Sequence, residues 1–342
     1  MSYVGERPDL LAYIAALYFE DGLTQEEIAR RTGYSRSAVS RLLTEARQRG
    51  IVEIRVNFPV NRARPLEHRI QEEFSLRECL VITAGSLDYP KMLRLLGRAG
   101  AAYLEEHLPD HGILGVSWGT AVYEIASALR VRYSPRIQVV QMIGALGGGD
   151  PLIDGPELAR ALAQTLGATY STLNAPFIVE DAGARSALMA DHNIMQAIEQ
   201  AQRADFAIVG IGSVEPELSS FVRAGYLSAD EVLAIQGKGA VGDICGSHFD
   251  ITGAILDIDI NRRIIGIELP RLCRSGCTVL GVAGGERKGS AILGALRGGF
   301  IDVLVTDAAA AQSLLPFVGK DPLSHHDPGR PPHAGRAINP EH

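Results

Sequence analysis

The sequence predicts an α/β protein: an N-terminal all-α helix-turn-helix domain followed by a Rossmann-like, mainly parallel α/β domain. Three observations carry this expectation. Residues 24–48 hold two short amphipathic helical patterns joined at a glycine. From residue 76 onward, short apolar runs alternate with helical patterns, as in a parallel sheet covered on both faces. Positive charge gathers at one end. The 342 residues carry a net −7, yet residues 30–55 hold seven Arg against two Glu. A basic patch on an acidic body is where a polyanion binds.

The first helix is the apolar segment "LLAYIAALYF". Next comes "LTQEEIARRTGYSRSAVSRLLTEARQRG". Thr24 caps the second helix, and Glu27 three residues on completes a capping box. Leu23, Ile28 and Ala29 face inward. Gly33 ends that helix, because glycine tolerates the left-handed conformation of a sharp turn. Ser35 caps the third helix, whose Val39, Leu42, Leu43 and Ala46 form one buried stripe. Its opposite face shows Arg36, Ser37, Ser40, Arg41, Thr44 and Arg47. This arrangement is a helix-turn-helix; the plainer alternative is an αα-hairpin with a solvated arginine face. Arg36, Ser37, Ser40 and Arg41 lie where base edges of double-stranded DNA are read, Arg30, Arg31 and Arg47 where phosphates are met, and the capping Ser35 is counted with them as DNA-binding.

Residues 51–56 alternate as a short strand, and "NFPVNRARP" reads as a linker broken by Pro59 and Pro65. Leu66, Ile70 and Phe74 give the helical spacing of a connecting helix or a spacer. The expected division is a DNA-binding domain over 1–58, a linker and connecting helix over 59–75, and an effector domain over 76–315. The tail, 316–342, has six prolines and a disordered composition. Strands are expected at "ECLVITA", "GILGVS", "IQVVQMIG", "DFAIVGIG", "GAILDIDI", "CTVLGVAGG" and "DVLVTD". Helices are expected over 90–108, 120–130, 155–166, 184–203, 228–236, 286–298 and 308–315.

Composition sets further bounds. At 46% hydrophobic and 21% charged, the chain can bury a sizeable core. No apolar run approaches the roughly 18 residues of a membrane span, and "MSYVGERPD" lacks a signal-peptide pattern, so a cytoplasmic protein without a membrane partner is expected. Cys79, Cys245, Cys273 and Cys277 are then reduced thiols. Cys273 and Cys277 lack a second pair or a nearby histidine, so they read as small core residues rather than zinc ligands. No metal or cofactor is expected.

Several polar, glycine-bearing stretches follow strands. Ser117, Trp118, Gly119 and Thr120 precede a helix, whose first amides with the two hydroxyls would hold an anion. Gly147 and Gly148 let backbone approach a ligand closely. Asp243, His248 and Asp250 offer acceptors suited to sugar hydroxyls. Lys288, at another strand-to-helix turn, is the best cationic partner for a phosphate. Together they point to a phosphorylated polyol site.

With these motifs in view, the chain resembles the SorC-type sugar-binding transcriptional regulators, which include the Bacillus-type deoxyribonucleoside and central-glycolysis regulators. The resemblance covers roughly 10–315. It rests on the helix-turn-helix, "GVSWGT", "GDICGSHFD" and "VLGVAGGERKGSAILGALRGGFIDVLVTD". It implies an effector domain similar to ribose-5-phosphate isomerase and glucosamine-6-phosphate deaminase, a homo-tetramer, and operator binding altered by a sugar, sugar alcohol or sugar phosphate. By motif position, Ser117, Gly119, Thr120 and Lys288 would hold a phosphate, and Asp243 with its neighbours the hydroxyls. Where some members carry Asn or Gln after the glycine loop, this chain has "DGPEL", so a different sugar or ester is expected. An isomerase needs a carboxylate base beside the substrate C–H. The resemblance puts Ile211, Gly212 and Ser213 there. A sensor is therefore expected; the alternatives are an isomerase- or deaminase-like enzyme fused to a DNA-binding domain, or an architectural protein whose second domain only oligomerises.

Overall fold

The structure, a computed structural model, describes residues 7–52, 60–130, 136–148 and 150–318. The chain divides into two compact units, Met1–Pro59 and Val60–His342.

The first unit is three helices, α1 (Arg7–Phe19), α2 (Gln25–Thr32) and α3 (Arg36–Gln48). The capping box forms: the Thr24 hydroxyl accepts from the Glu27 amide at 3.3 Å, and the Glu27 carboxylate accepts from the Thr24 amide at 2.8 Å. Gly33 ends α2 at φ +77°, and the Ser35 hydroxyl accepts from Ala38 N–H to start α3. Both ends are set within four residues, so the turn is local chemistry. Leu11, Ile14, Leu17, Ile28, Val39, Leu42, Leu43 and Ala46 form the core. The strand expected at 51–56 does not begin there. The amides of Ile51 and Val52 both donate back to Ala46 O, turning the chain out of α3. Residues 53–59 lie outside the described residues.

The second unit runs α4 (Arg64–Glu73), β1 (Glu78–Ile82), α5 (Tyr89–His107), β2 (His111–Val116), α6 (Thr120–Ala128), β3 (Arg136–Gln141), α7 (Gly155–Leu166) and β4 (Thr169–Ser171). Then come α8 (Ala182–Met189), α9 (His192–Ala201), β5 (Phe206–Gly210), β6 (Gly212–Ser213), α10 (Ser220–Arg223), α11 (Ala229–Gly237), β7 (Ala240–Ile244) and β8 (Ser247–Asp250). It closes with α12 (Leu269–Arg274), β9 (Thr278–Val282), α13 (Gly289–Arg297), β10 (Val303–Asp307) and α14 (Ala308–Leu314).

Seven strands form one sheet, ordered β1-β10-β9-β5-β2-β3-β4, with every pairing parallel. Helices cover both faces, so β9 and β10 are buried throughout. The chain leaves β2 toward β3 and leaves β5 toward β9. Neighbouring β2 and β5 are therefore the topological switch point, where a crevice opens at the carboxyl ends of the strands. An antiparallel ribbon, β6-β7-β8, sits beside it.

Some expectations are corrected. The helix expected over 184–203 is two, because Asp191 caps a new helix by accepting from Asn193 and Ile194 N–H. "GAILDIDI" is not a strand of the main sheet. Its Leu256 amide donates to His248 O, and Asn261 pins it to β8 through His248 O and Leu256 O. The helix expected from 286 begins with a 3-10 turn, Glu286–Lys288. The short β4, β6, β7 and β8 lacked a sequence pattern. The predicted helix carrying Leu66, Ile70 and Phe74 is α4, and it packs that apolar side onto β1 and the main core of its own unit. Residues 319–342 of the tail lie outside the described residues.

Candidate functional site

A cleft opens at the switch point, lined by the ends of β2, β5 and β9 and by residues of β7, α5 and α10. About 570 Å³ of empty space lies within it, part of it open to solvent.

From β2, Ser117, Trp118, Gly119 and Thr120 form one wall. Gly119 holds φ +120°, a conformation side chains avoid, and turns the chain into α6. No side chain caps α6, so the amides of its first turn are left to satisfy a ligand or water. Trp118 is nearly buried and packs edge-on to Phe177, with centroids 5.4 Å apart. This fixes the wall from behind.

Two cations line the same space, Lys288 and Arg223. The Lys288 ammonium donates to Ile211 O at 2.6 Å, leaving two of its three donors for a ligand. Burial, opposed by the attraction of Asp243 and helped by the nearby Arg223, lowers its pKa to about 8. Asp243 is the carboxylate among the lining residues. Burial raises its pKa, opposed by His248, Lys288 and the Gly246 amide 3.3 Å away. A Cβ at Gly212 would lie 1.9 Å from Asp243 Oδ1, so only glycine lets that carboxylate lie against the β6 backbone.

Ser117, Trp118, Gly119, Thr120, Asp243 and Lys288 thus meet in one cleft. The other sequence-proposed effector residues do not line it. His248 is buried, with its Nδ1 and its amide both engaged by Asn261 Oδ1. The Asp250 carboxylate holds its own turn, accepting from Thr252 N–H, Thr252 Oγ1 and Ala254 N–H. Gly147 and Gly148 stand off the cleft in a loop tied down by Asp154, which accepts from Leu146 and Gly147 N–H. The His248 Nδ1, the Asp250 Oδ1 and the Gly147 amide have partners inside the protein.

Sequence reasoning missed Arg223, Ser220 and Tyr89. Arg223 sits on one turn of helix in "SSFVRAG" that starts seven residues beyond the end of β6, so no immediate strand-to-helix turn marks it. Tyr89 begins α5, seven residues beyond the end of β1. Glu215 and Glu217, the carboxylates that follow the expected isomerase-base position in sequence, both pair with Arg287 at 2.5 and 2.7 Å.

In the first unit, Arg30, Arg31, Ser35, Arg36, Ser37, Ser40, Arg41 and Arg47 are all exposed. α3 therefore offers a polar, arginine-rich face opposite its buried stripe.

The two halves match known families. Residues 59–316 match the model described as "Putative sugar-binding domain", and residues 11–57 match that of the MarR family. The deoxyribonucleoside regulator of Bacillus subtilis (strain 168) is 34% identical over 310 residues, spanning 91% of this chain and 98% of the relative. The sorbitol operon regulator of Klebsiella pneumoniae is 32% identical over 317 residues, spanning 90% and 97%. The crystal structure of that full-length regulator, SorC, aligns with a TM-score of 0.69 at 30% identity, covering 91% of this chain and 99% of that one. No helix among the described residues is long and apolar enough to cross a membrane. With both halves matched, and with relatives above 30% identity along nine-tenths of its length, this chain belongs to the SorC-type family of sugar-binding transcriptional regulators.

Proposed function

We propose that this protein binds operator DNA through α3, and that a sugar phosphate or phosphorylated polyol in the cleft controls that binding. One observation carries the anionic choice: the uncapped start of α6 faces the same space as Lys288 and Arg223. A phosphate there gains backbone donors and two cationic partners at once. Asp243 and Ser220 supply polar partners for hydroxyls, and Trp118 with Ile143 supplies an apolar wall. Arg36, Ser37, Ser40 and Arg41 read base edges, while Arg30, Arg31 and Arg47 hold phosphates. The effector acts by favouring one of two arrangements, with a coupling of about 1–3 kcal/mol. The working form is a cytoplasmic homo-tetramer without a metal or cofactor.

A second reading keeps Asp243 as the base of a sugar-phosphate isomerase, because a buried carboxylate of raised pKa suits that task. The regulator reading is preferred because relatives 34% and 32% identical along nine-tenths of the chain are named as regulators. One experiment separates the two. A panel of pentose phosphates, hexose phosphates and free polyols is screened by thermal shift, and each binder is added to a complex of the protein with its promoter duplex. A sugar phosphate that raises the melting temperature and changes DNA affinity without being converted supports the proposal. Conversion supports the second reading. A panel without a binder overturns both.

A further inference from the structure

The segment that follows Pro59 is fastened to the edge of the sheet. Arg62 bridges Ile82 of β1 in antiparallel fashion, the Ala63 amide donates to Val81 O, and the Thr83 amide donates to Asn61 O, both at 2.8 Å. Glu67, only 3% exposed, closes this contact. Its Oε1 accepts from Arg62 Nε at 2.6 Å and from Val81 N–H at 2.9 Å. Arg62 also reaches Glu78 at 3.2 Å, and Arg64 approaches Glu67 at 3.5 Å. A buried carboxylate tolerates few geometries, since an unpaired one is strongly destabilising. The cluster therefore holds the start of this segment in one register.

The same edge reaches the cleft. Ile82, opposite Arg62, also stands opposite Asp307 of β10. The Asp307 carboxylate accepts from the Gly285 amide at 2.7 Å and from the Ala309 amide at 3.2 Å. It thus joins the turn carrying Lys288 to the first turn of α14. α14 in turn packs on both that turn and α4. The packing at Gly289 is tight, because a Cβ there would lie 2.1 Å from Ser313 Oγ. Two contact routes therefore connect Lys288 to Arg62, one through Asp307 and Ile82 and one through α14 and α4.

We propose that the Arg62–Glu67 clamp passes cleft occupancy to the polypeptide leading to the DNA-binding unit, with Asp307 as the joint between them. This rests on the regulator reading above. A ligand that draws on Lys288 displaces the Gly285–Lys288 turn, and Asp307 and α14 carry that displacement to α4 and the clamp. Asp307 and Glu67 act here as positioning residues.

Amide hydrogen exchange on the full-length chain tests this without any effector. Asp307→Ala removes the acceptor of Gly285 and Ala309. The Ala63 and Thr83 amides, bonded across the opposite edge of β1 from β10 and its Asp307, are then expected to exchange about tenfold faster. The central strands β2 and β5 keep wild-type protection as the control for folding. Should Asp307→Ala unfold the domain, Glu67→Gln decides: it keeps an acceptor for Val81 but loses the charge facing Arg62. It is expected to accelerate Gly285 and Ala309 by a similar factor. Acceleration confined to the neighbourhood of the substituted residue overturns the proposal. That outcome would leave effector binding in the cleft untouched, so the two readings fail separately.

Discussion

The charge on Lys288 should govern how the cleft responds to pH. Its ammonium titrates near 8 because the site buries it and Arg223 stands close, with Asp243 only partly offsetting them. With a pKa of about 8, roughly nine-tenths of the chains carry the charge at pH 7 and roughly one-tenth at pH 9. A phosphate monoester has its second ionisation near 6, so the ligand is a dianion throughout this range. The lysine loses its charge across this range. Its positive charge favours the dianion, so affinity must fall as pH rises through 8. If the charged form alone binds, the loss from pH 7 to pH 9 is about tenfold, or about 1.4 kcal/mol. Isothermal titration at pH 7, 8 and 9 and constant ionic strength, using the tightest sugar phosphate of the panel, measures this slope. Lys288→Met should bind more weakly at pH 7 and show no slope. A flat wild-type profile, or a slope surviving in Lys288→Met, refutes the assignment of Lys288 to the anion.

Two further outcomes are expected. Arg41→Ala should weaken binding to the promoter duplex by about 1–3 kcal/mol if Arg41 reads a base edge, and leave the effector isotherm unchanged; fluorescence anisotropy against DNA checks it, and equal loss of both activities counts against the division of labour. Gly144→Ala should destabilise the effector unit by about 3 kcal/mol, the upper end of overpacking, because the new Cβ would lie 2.2 Å from the carbonyl oxygen of Pro176. Denaturant unfolding measures this, and a loss below about 1 kcal/mol would show that the two backbones can part.

The sequence by itself determined what short-range chemistry controls. Thr24, Glu27, Gly33 and Ser35 fix the ends of α2 and α3 within four residues, so the helix-turn-helix and its arginine face were legible. Buried parallel strands announce themselves as continuous apolar runs, and "SWGT" and Lys288 mark strand-to-helix turns, which placed one wall of the cleft and one cation. The tertiary structure alone decided which remote turns meet. Arg223 and Tyr89 join the cleft only because strand order brings β2, β5 and β9 together, and neither stretch carries a local mark of it. It also decided which plausible ligands were already engaged: Asp250 by its own turn, His248 by Asn261, the loop of Gly147 by Asp154. A hydrogen-bonding group shows its type in sequence, but its partner is set by the fold, and a partnered acceptor is no longer available to a guest.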